Sequence, residues 1–128
     1  MKATIEFVKE KYQEFNRLIF EDKLPAVPLR VGHARTSLGT CRFNKRRRLL
    51  GGYEAYGFRI SISNFFDLPQ EIIEDTIIHE MIHYYIWHNG IKDTSAHGKE
   101  FRRMMKNINS TYGRHLTISY RKPTSLLK

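Results

Sequence analysis

Cysteine is almost missing from this sequence: Cys41 is the only one in 128 residues. A single thiol closes no internal disulfide and supplies no Cys-x-x-Cys zinc site. Long apolar runs are missing too. A membrane-spanning helix needs roughly 18 or more consecutive apolar residues, and the chain has no such run. The opening Met1-Lys2-Ala3-Thr4-Ile5-Glu6 moves straight into an amphipathic pattern containing acids, without the apolar centre of a secretory signal. There is no internal repeat and no low-complexity segment, and the length fits one domain. These absences point to a reducing, intracellular setting. The expectation is a cytoplasmic monomer with no membrane attachment.

Acidic side chains are scarce relative to basic ones. Asp and Glu number 13 against 22 Lys and Arg, for a formal net charge of +9 and a pI near 9.8. Such a balance favours anionic partners, namely nucleic acid, acidic protein or lipid headgroups, although plain solubility also explains it. Hydrophobic residues at 41% and aromatics at 12% suffice for one core.

One stretch carries chemistry. Thr76-Ile77-Ile78-His79-Glu80-Met81-Ile82-His83-Tyr84-Tyr85 is an apolar run with His-Glu-x-x-His inside it. Residues four apart on a helix lie on one face, one turn apart, so His79 and His83 point the same way and can share a metal ion. Zinc accepts neutral imidazole nitrogen at about 2.0–2.1 Å, and catalytic sites hold it with three protein ligands and leave one position open. Glu80 is turned about 100° from His79. It need not bind the metal and is placed to take a proton from water as general base. The bland alternative is a pair of histidines satisfied in a buried helix. Burying two His and a Glu beside Ile73, Ile77, Ile78, Met81 and Ile82 costs on the order of several kcal/mol unless they are paired or metal-bound, which argues against it.

The rest of the chain supplies elements to hold that helix. Ile5, Val8, Tyr12, Phe15 and Ile19 recur at helical spacing and predict a first helix over 4–20, ended by Glu21-Asp22-Lys23-Leu24-Pro25. Pro28–Gly32, Leu38–Phe43 and Phe58–Ser63 read as strands, the last in strict alternation, and predict an antiparallel sheet of about three strands. Asp67-Leu68-Pro69-Gln70 reads as the capped start of a central helix over 67–89, with Asn89-Gly90 as its stop. A third helix is expected over 96–109, with Phe101, Met104, Met105 and Ile108 inward. Leu116–Tyr120 reads as a short strand and Arg121-Lys122-Pro123 as a loose end. The fold class is therefore α+β, with residues 1–112 as the domain and 113–128 as a C-terminal strand or tail.

Two basic clusters stand apart from the metal motif. Asn44-Lys45-Arg46-Arg47-Arg48 reads as a loop between strands, and these cations, with Arg42, lie near Phe43, Tyr53 and Tyr56 in sequence. Cations interleaved with aromatics can hold a nucleic-acid backbone and stack on its bases. A solvated loop that discourages edge-to-edge pairing is the plain alternative. Lys99, Arg102, Arg103 and Lys106 make the outer face of the third helix basic. That face is either solvated or a further nucleic-acid surface, with Arg102 and Arg103 as its candidates.

Two histidines do not complete a zinc site. His88, nine residues after His79, faces the opposite side of the helix. A metzincin would carry Gly at 86 and His at 89, where this chain has Ile86 and Asn89. His97 follows the loop from Asn89 to Ala96 and opens the third helix, and Gly98 beside it permits close backbone approach. Glu100 suits a site of two His and one Glu and is not excluded by geometry, though His97 is preferred. Asp93 and His115 are the remaining candidates. Asp75, one turn before His79, is either a partner for its second N–H or a favourable charge near the helix start. Trp87 is either a pocket wall or core. Tyr112, Arg114 and His115 are candidates for stabilising an oxyanion.

His79-Glu80-Met81-Ile82-His83, followed after thirteen residues by His97-Gly98-Lys99-Glu100-Phe101, resembles the SprT-like domain of SprT proteins and the Spartan proteases. Phe15–Phe20, Leu24–Val27 and Arg59–Ser63 are similar to that family as well, so the likeness spans roughly residues 5 to 110. The resemblance implies a minimal zincin-like metalloprotease domain holding one Zn2+ ion, with His79, His83 and His97 as ligands and Glu80 as the catalytic residue. It also implies an endopeptidase acting on protein or peptide, including DNA-bound or DNA-crosslinked protein, in contact with single-stranded or damaged DNA. Family members often add a cysteine-rich zinc ribbon; residues 113–128 contain no cysteine for one. Two readings from other classes compete. One is a non-catalytic, zinc-stabilised nucleic-acid-binding module, against which the intact Glu80 argues. The other is a small intracellular peptidase with no DNA role.

Overall fold

The computed structural model describes residues 1–119. Helix α1 (Ile5–Ile19) is capped by Thr4, whose hydroxyl accepts the Phe7 N–H at 3.2 Å. Val8, Tyr12 and Phe15 are its buried stripe, as the spacing predicts. The helix stops well before Pro25, and Asn16 is the reason. Its side chain donates to the Leu24 carbonyl at 2.9 Å and accepts the Leu24 N–H at 3.1 Å. That clamp folds the chain back on itself and holds Glu21 and Asp22 at left-handed φ values of 55° and 58°.

Three strands follow: β1 (Leu29–Gly32), β2 (Gly39–Arg47) and β3 (Tyr53–Ser63), in the spatial order β1-β3-β2. The β2–β3 pair is antiparallel, as expected, but β1 runs parallel to β3. The chain reverses between β1 and β2 and again between β2 and β3, so β3 recovers the direction of β1 and inserts between the other two. Alternation along a strand reports which face is buried and is blind to strand order and direction. The hairpin is also longer than alternation implied. Lys45, Arg46 and Arg47 belong to β2 rather than to a loop, pairing with Ala55, Glu54 and Tyr53. Both faces of that stretch are largely exposed, so no apolar period marks it.

Helix α2 (Gln70–His88) is the centre of the molecule, buried on nearly all sides from Ile73 to Tyr84. Pro69 occupies its cap position without a side-chain cap. Asp67, expected to cap, instead pairs with the Met1 ammonium at 2.6 Å. The buried acids Glu74 and Asp75 are answered by Arg114, which donates to Asp75 at 2.7 Å and to Glu74 at 3.0 Å. Burial alone would raise the Glu74 carboxyl, but hydrogen bonds from Gln70 and Arg114 and the charges of Lys11 and Arg114 hold it below its ordinary range. Asn89 and Gly90, the latter at φ 64°, close the helix as expected.

Helix α3 (Lys99–Tyr112) buries Phe101 and Ile108 and ends at Gly113 with φ 65°. Residues 114–119 form no strand; Leu116 is buried and held by Asn109, which donates to its carbonyl at 3.0 Å and accepts its N–H at 2.8 Å. Tyr120 and the Arg121-Lys122-Pro123 segment lie outside the described residues. Among the described residues no helix is long and apolar enough to cross a membrane.

Candidate metal centre

His79 and His83 project from the same side of α2, and His97 meets them from the loop just ahead of α3. One nitrogen from each lies within 4.8 Å of the others. His97 Nε2 is 3.1 Å from His79 Nε2 and 3.1 Å from His83 Nε2. Donors at about 2.0–2.1 Å from a tetrahedral ion stand roughly 3.3 Å apart, close to these separations. Hydrogen bonding among the rings is a poorer account. His79 Nδ1 is 3.1 Å from the Thr117 carbonyl, which only accepts, so Nδ1 carries the proton and Nε2 presents a lone pair. One proton on His97 Nε2 cannot serve both neighbours. Buried His83 Nδ1 is left with no partner among the described residues. Three imidazole nitrogens converging in this way fit a single cation.

The surroundings keep the rings neutral and fixed. Burial first, then His97 beside it, pulls His79 down to about 4. Burial, then His79 and His97, pulls His83 down to about 3. Neutral imidazole is the ligating form. Phe101, fully buried, touches all three: its ring centre is 4.9 Å from His79, 4.6 Å from His83 and 4.8 Å from His97. Trp87 stacks on His83 at 4.6 Å and 17°, which makes it a wall of the site.

His97 is placed by a latch. Asp93 accepts the N–H groups of Glu100 at 3.2 Å and Phe101 at 3.0 Å, tying the loop to the first turn of α3. Gly98 makes room for it. A Cβ there would stand 2.3 Å from Asp93 Oδ1 and 2.4 Å from Thr94 Oγ1. Gly39 plays the same part on the sheet side. A Cβ there would meet Thr76 Cγ2 at 2.9 Å and Glu80 Oε2 at 3.2 Å. The edge strand β2 therefore begins against Glu80. That carboxyl is 5% exposed, and burial pushes it up to about 8. Cys41, two residues along β2, is buried and inert, its thiol pushed up to about 12 by burial and then by Glu80.

The other candidates fall elsewhere. Glu100 binds Arg103 and lines a separate cavity of about 290 Å3 with Ile19, Tyr85 and Met104. Asp93 is the latch, His88 packs on Phe58 and Tyr84, and His115 is exposed. Asp75 is taken by Arg114, so the partner of His79 is the Thr117 carbonyl. Tyr112 donates to the Leu18 carbonyl at 2.8 Å, and Arg114 is committed to the α2 acids. Of the basic candidates, Arg42 and Lys45 to Arg48 stand on the hairpin. Arg102 donates to the His97 carbonyl at 2.9 Å, and Arg103 pairs with Glu100. Two contacts of the histidines go beyond the sequence expectations: Phe101, expected only as an inward residue of the third helix, and Thr117. Phe101 was legible, since it lies four residues after His97 and on the inward stripe. Thr117 acts through its backbone and left no signal.

Known proteins support the likeness. The chain is 31% identical to the DNA-dependent metalloprotease SPRTN of Rattus norvegicus over 109 residues, covering 84% of this chain and 21% of that protein. For the Xenopus tropicalis protein of the same name the figures are 29% over 115 residues, 87% and 24%. The Homo sapiens protein is 41% identical over 51 residues, 39% of this chain and 10% of the relative. The chain thus spans a quarter or less of the length of these relatives. The family profile described as SprT-like matches residues 8–122, from the first buried turn of α1 to beyond the segment that bonds His79, and the chain belongs to the SprT-like family.

Proposed function

We propose that this chain is a zinc-dependent metalloendopeptidase in which His79, His83 and His97 hold one Zn2+ and Glu80 is the general base. The observation that carries the reading is the convergence of three neutral imidazoles from two elements beside a buried carboxyl that is not one of the donors. Three nitrogens suit zinc, and three rather than four protein donors leave a position open, as catalytic sites do. Bound there, zinc supplies Lewis acidity, making water acidic enough to attack at neutral pH and polarising a carbonyl.

The chain's own residues do the rest. Glu80 takes a proton from the attacking water and delivers it to the leaving amine; its low exposure suits proton exchange near neutrality. Thr117 fixes the tautomer of His79, and Phe101 and Trp87 hold the imidazoles and keep water off their faces. The free edge of β2, starting beside Glu80, suits an extended peptide added as a further strand. We place the elements that carry the histidines in residues 1–112, with the segment 113–128 contributing the Thr117 carbonyl that bonds His79.

The substrate class we favour is protein bound or crosslinked to DNA, acted on by a cytoplasmic monomer. The +9 charge and relatives named DNA-dependent support it. Arg42, Lys45, Arg46, Arg47 and Arg48 are the principal anion-facing set, with Arg102 and Arg103 as a secondary patch. The test is Glu80→Gln, assayed for zinc content and for hydrolysis of casein with and without single-stranded DNA at two salt concentrations. Zinc should stay and hydrolysis should vanish. Parental activity in the variant ends the protease reading and leaves a zinc-stabilised binding module. Parental activity that ignores both DNA and salt leaves a peptidase without a DNA role.

A further inference from the structure

The β2–β3 hairpin outruns the rest of the sheet. β1 pairs only with Ile60–Ser63, and Phe43 and Phe58 are the last hairpin side chains that pack on α2, through Trp87 and Tyr84. Beyond them a two-stranded arm reaches outward. At about 3.3 Å per residue, the end of β2 at Arg47 is roughly 26 Å along the strand from Gly39, which sits against Glu80, and the turn at Leu49 lies beyond it. The tip is a built turn. Arg48 N–H donates to the Gly52 carbonyl at 2.9 Å and Gly51 N–H to the Arg48 carbonyl at 3.2 Å, with Gly51 and Gly52 at φ 101° and 76°. That turn holds Leu49 and Leu50 wholly in solvent, at 104% and 102% relative exposure, with Tyr53 at 65% beside them.

Two features of the arm are costly for a solvated surface. Two neighbouring leucines gain nothing from full exposure on a hydrogen-bonded turn. At the arm's root, just inside Phe43 and Phe58, Arg42 stands directly opposite Arg59 in register, an arrangement that destabilises a strand pair. Glu54 is the arm's one acid and binds Arg46, so among the described residues Lys45, Arg47 and Arg48 have no acidic partner. The chemistry of a suitable occupant follows: a polyanion that accepts arginines along its backbone and apolar side chains between stacked planar groups.

We propose that the hairpin tip is a nucleic-acid wedge, in which Arg47 and Arg48 hold phosphates while Leu49 and Leu50 insert between bases and Tyr53 stacks beside them. A two-stranded ribbon is narrow enough to follow a strand or enter a groove, and apolar side chains of this size are used to part base steps. The occupant is single-stranded nucleic acid, whose bases come apart at least cost. This deepens the nucleic-acid side of the proposed function. The grip lies far enough along the hairpin to leave the start of β2, beside Glu80, free for a protein held on the same strand.

The test uses the full chain with a fluorescein-labelled oligothymidylate, a single strand carrying 2-aminopurine, and vesicles of phosphatidylserine. The parent chain should bind the oligonucleotide and brighten 2-aminopurine as its stacking is broken. Leu49→Ser with Leu50→Ser should bind about tenfold more weakly, with the salt slope kept and the brightening lost. Arg47→Ala with Arg48→Ala should lower the salt slope by about 1.4. Unchanged zinc content and thermal midpoint in both variants show that the fold is intact. Parental binding and brightening in the leucine variant overturn the wedge, while the nucleic-acid reading stands. Binding to vesicles but not to the oligonucleotide overturns it in favour of a lipid surface. Casein hydrolysis by the parent chain is scored separately, so failure of the protease reading is not confused with failure here.

Discussion

Phe101 is the most informative single perturbation, because it is both core and the platform under all three histidines. Replacing it with Ala removes a fully buried ring, and such truncations cost about 3–5 kcal/mol through lost transfer and the cavity left behind. In a domain of this size roughly 4 °C of melting temperature accompanies each kcal/mol, so a drop of about 12–20 °C is expected in the presence of a chelator. A second effect should ride on the first. Residues that orient metal ligands typically change affinity by about 10–100-fold, so zinc should stabilise the variant by about 1.4–2.7 kcal/mol less than it stabilises the parent chain. The assay is thermal unfolding with excess zinc and with chelator, on the parent, Phe101→Ala and Phe15→Ala. Phe15 is similarly buried on α1, and its loss should lower both melting temperatures while sparing the difference between them. If Phe101→Ala keeps the full zinc increment, the ring is only core and the argument that it aligns the imidazoles is wrong.

Three further outcomes follow from the same geometry. Glu74 is held below its ordinary value of 4.5, so its contribution is present above that pH and is lost as pH falls through the lower folded value; Glu74→Gln should flatten the acid limb of a stability–pH curve. His79 and His83 are depressed to about 4 and about 3 in the fold, against an ordinary 6.5, so the unfolded chain gains protons first. The metal-free chain should therefore lose stability steadily as pH drops below about 6.5, and excess zinc should delay that loss. Gly39→Ala forces a methyl against Thr76 and Glu80, and should lower kcat at least about tenfold with zinc content unchanged, as equilibrium dialysis would show.

The helices and the three converging histidines were the most readable parts of the sequence, for different reasons. Val8, Tyr12 and Phe15 advertise α1 because one face alone is buried. The His79–His83 spacing advertises a shared donor face because four residues make about one turn. His97 and Gly98 were legible as a pair, but the room Gly98 leaves is taken by the Asp93 and Thr94 side chains and not by a second backbone. What resisted reading was set by the third dimension. The parallel β1–β3 pairing depends on which edge of β3 is left open. Lys45 to Arg47 form a strand through cross-strand partners such as Glu54, not through an apolar period of their own. Asp75 was a fair candidate to back His79, but Arg114, distant in sequence, claims it.

His83 stands apart from its two fellow donors in one respect. The outer nitrogen of His79 is told which way to face by a carbonyl, whereas that of His83 has no such instruction among the described residues. Trp87 and Phe101 restrict the plane of the His83 ring, yet flat carbon walls do not distinguish one edge of an imidazole from the other. Under the proposed zinc reading, an ion held at His83 Nε2 would select one of the two half-turn-related poses, and so would tie the orientation of this ring to metal binding.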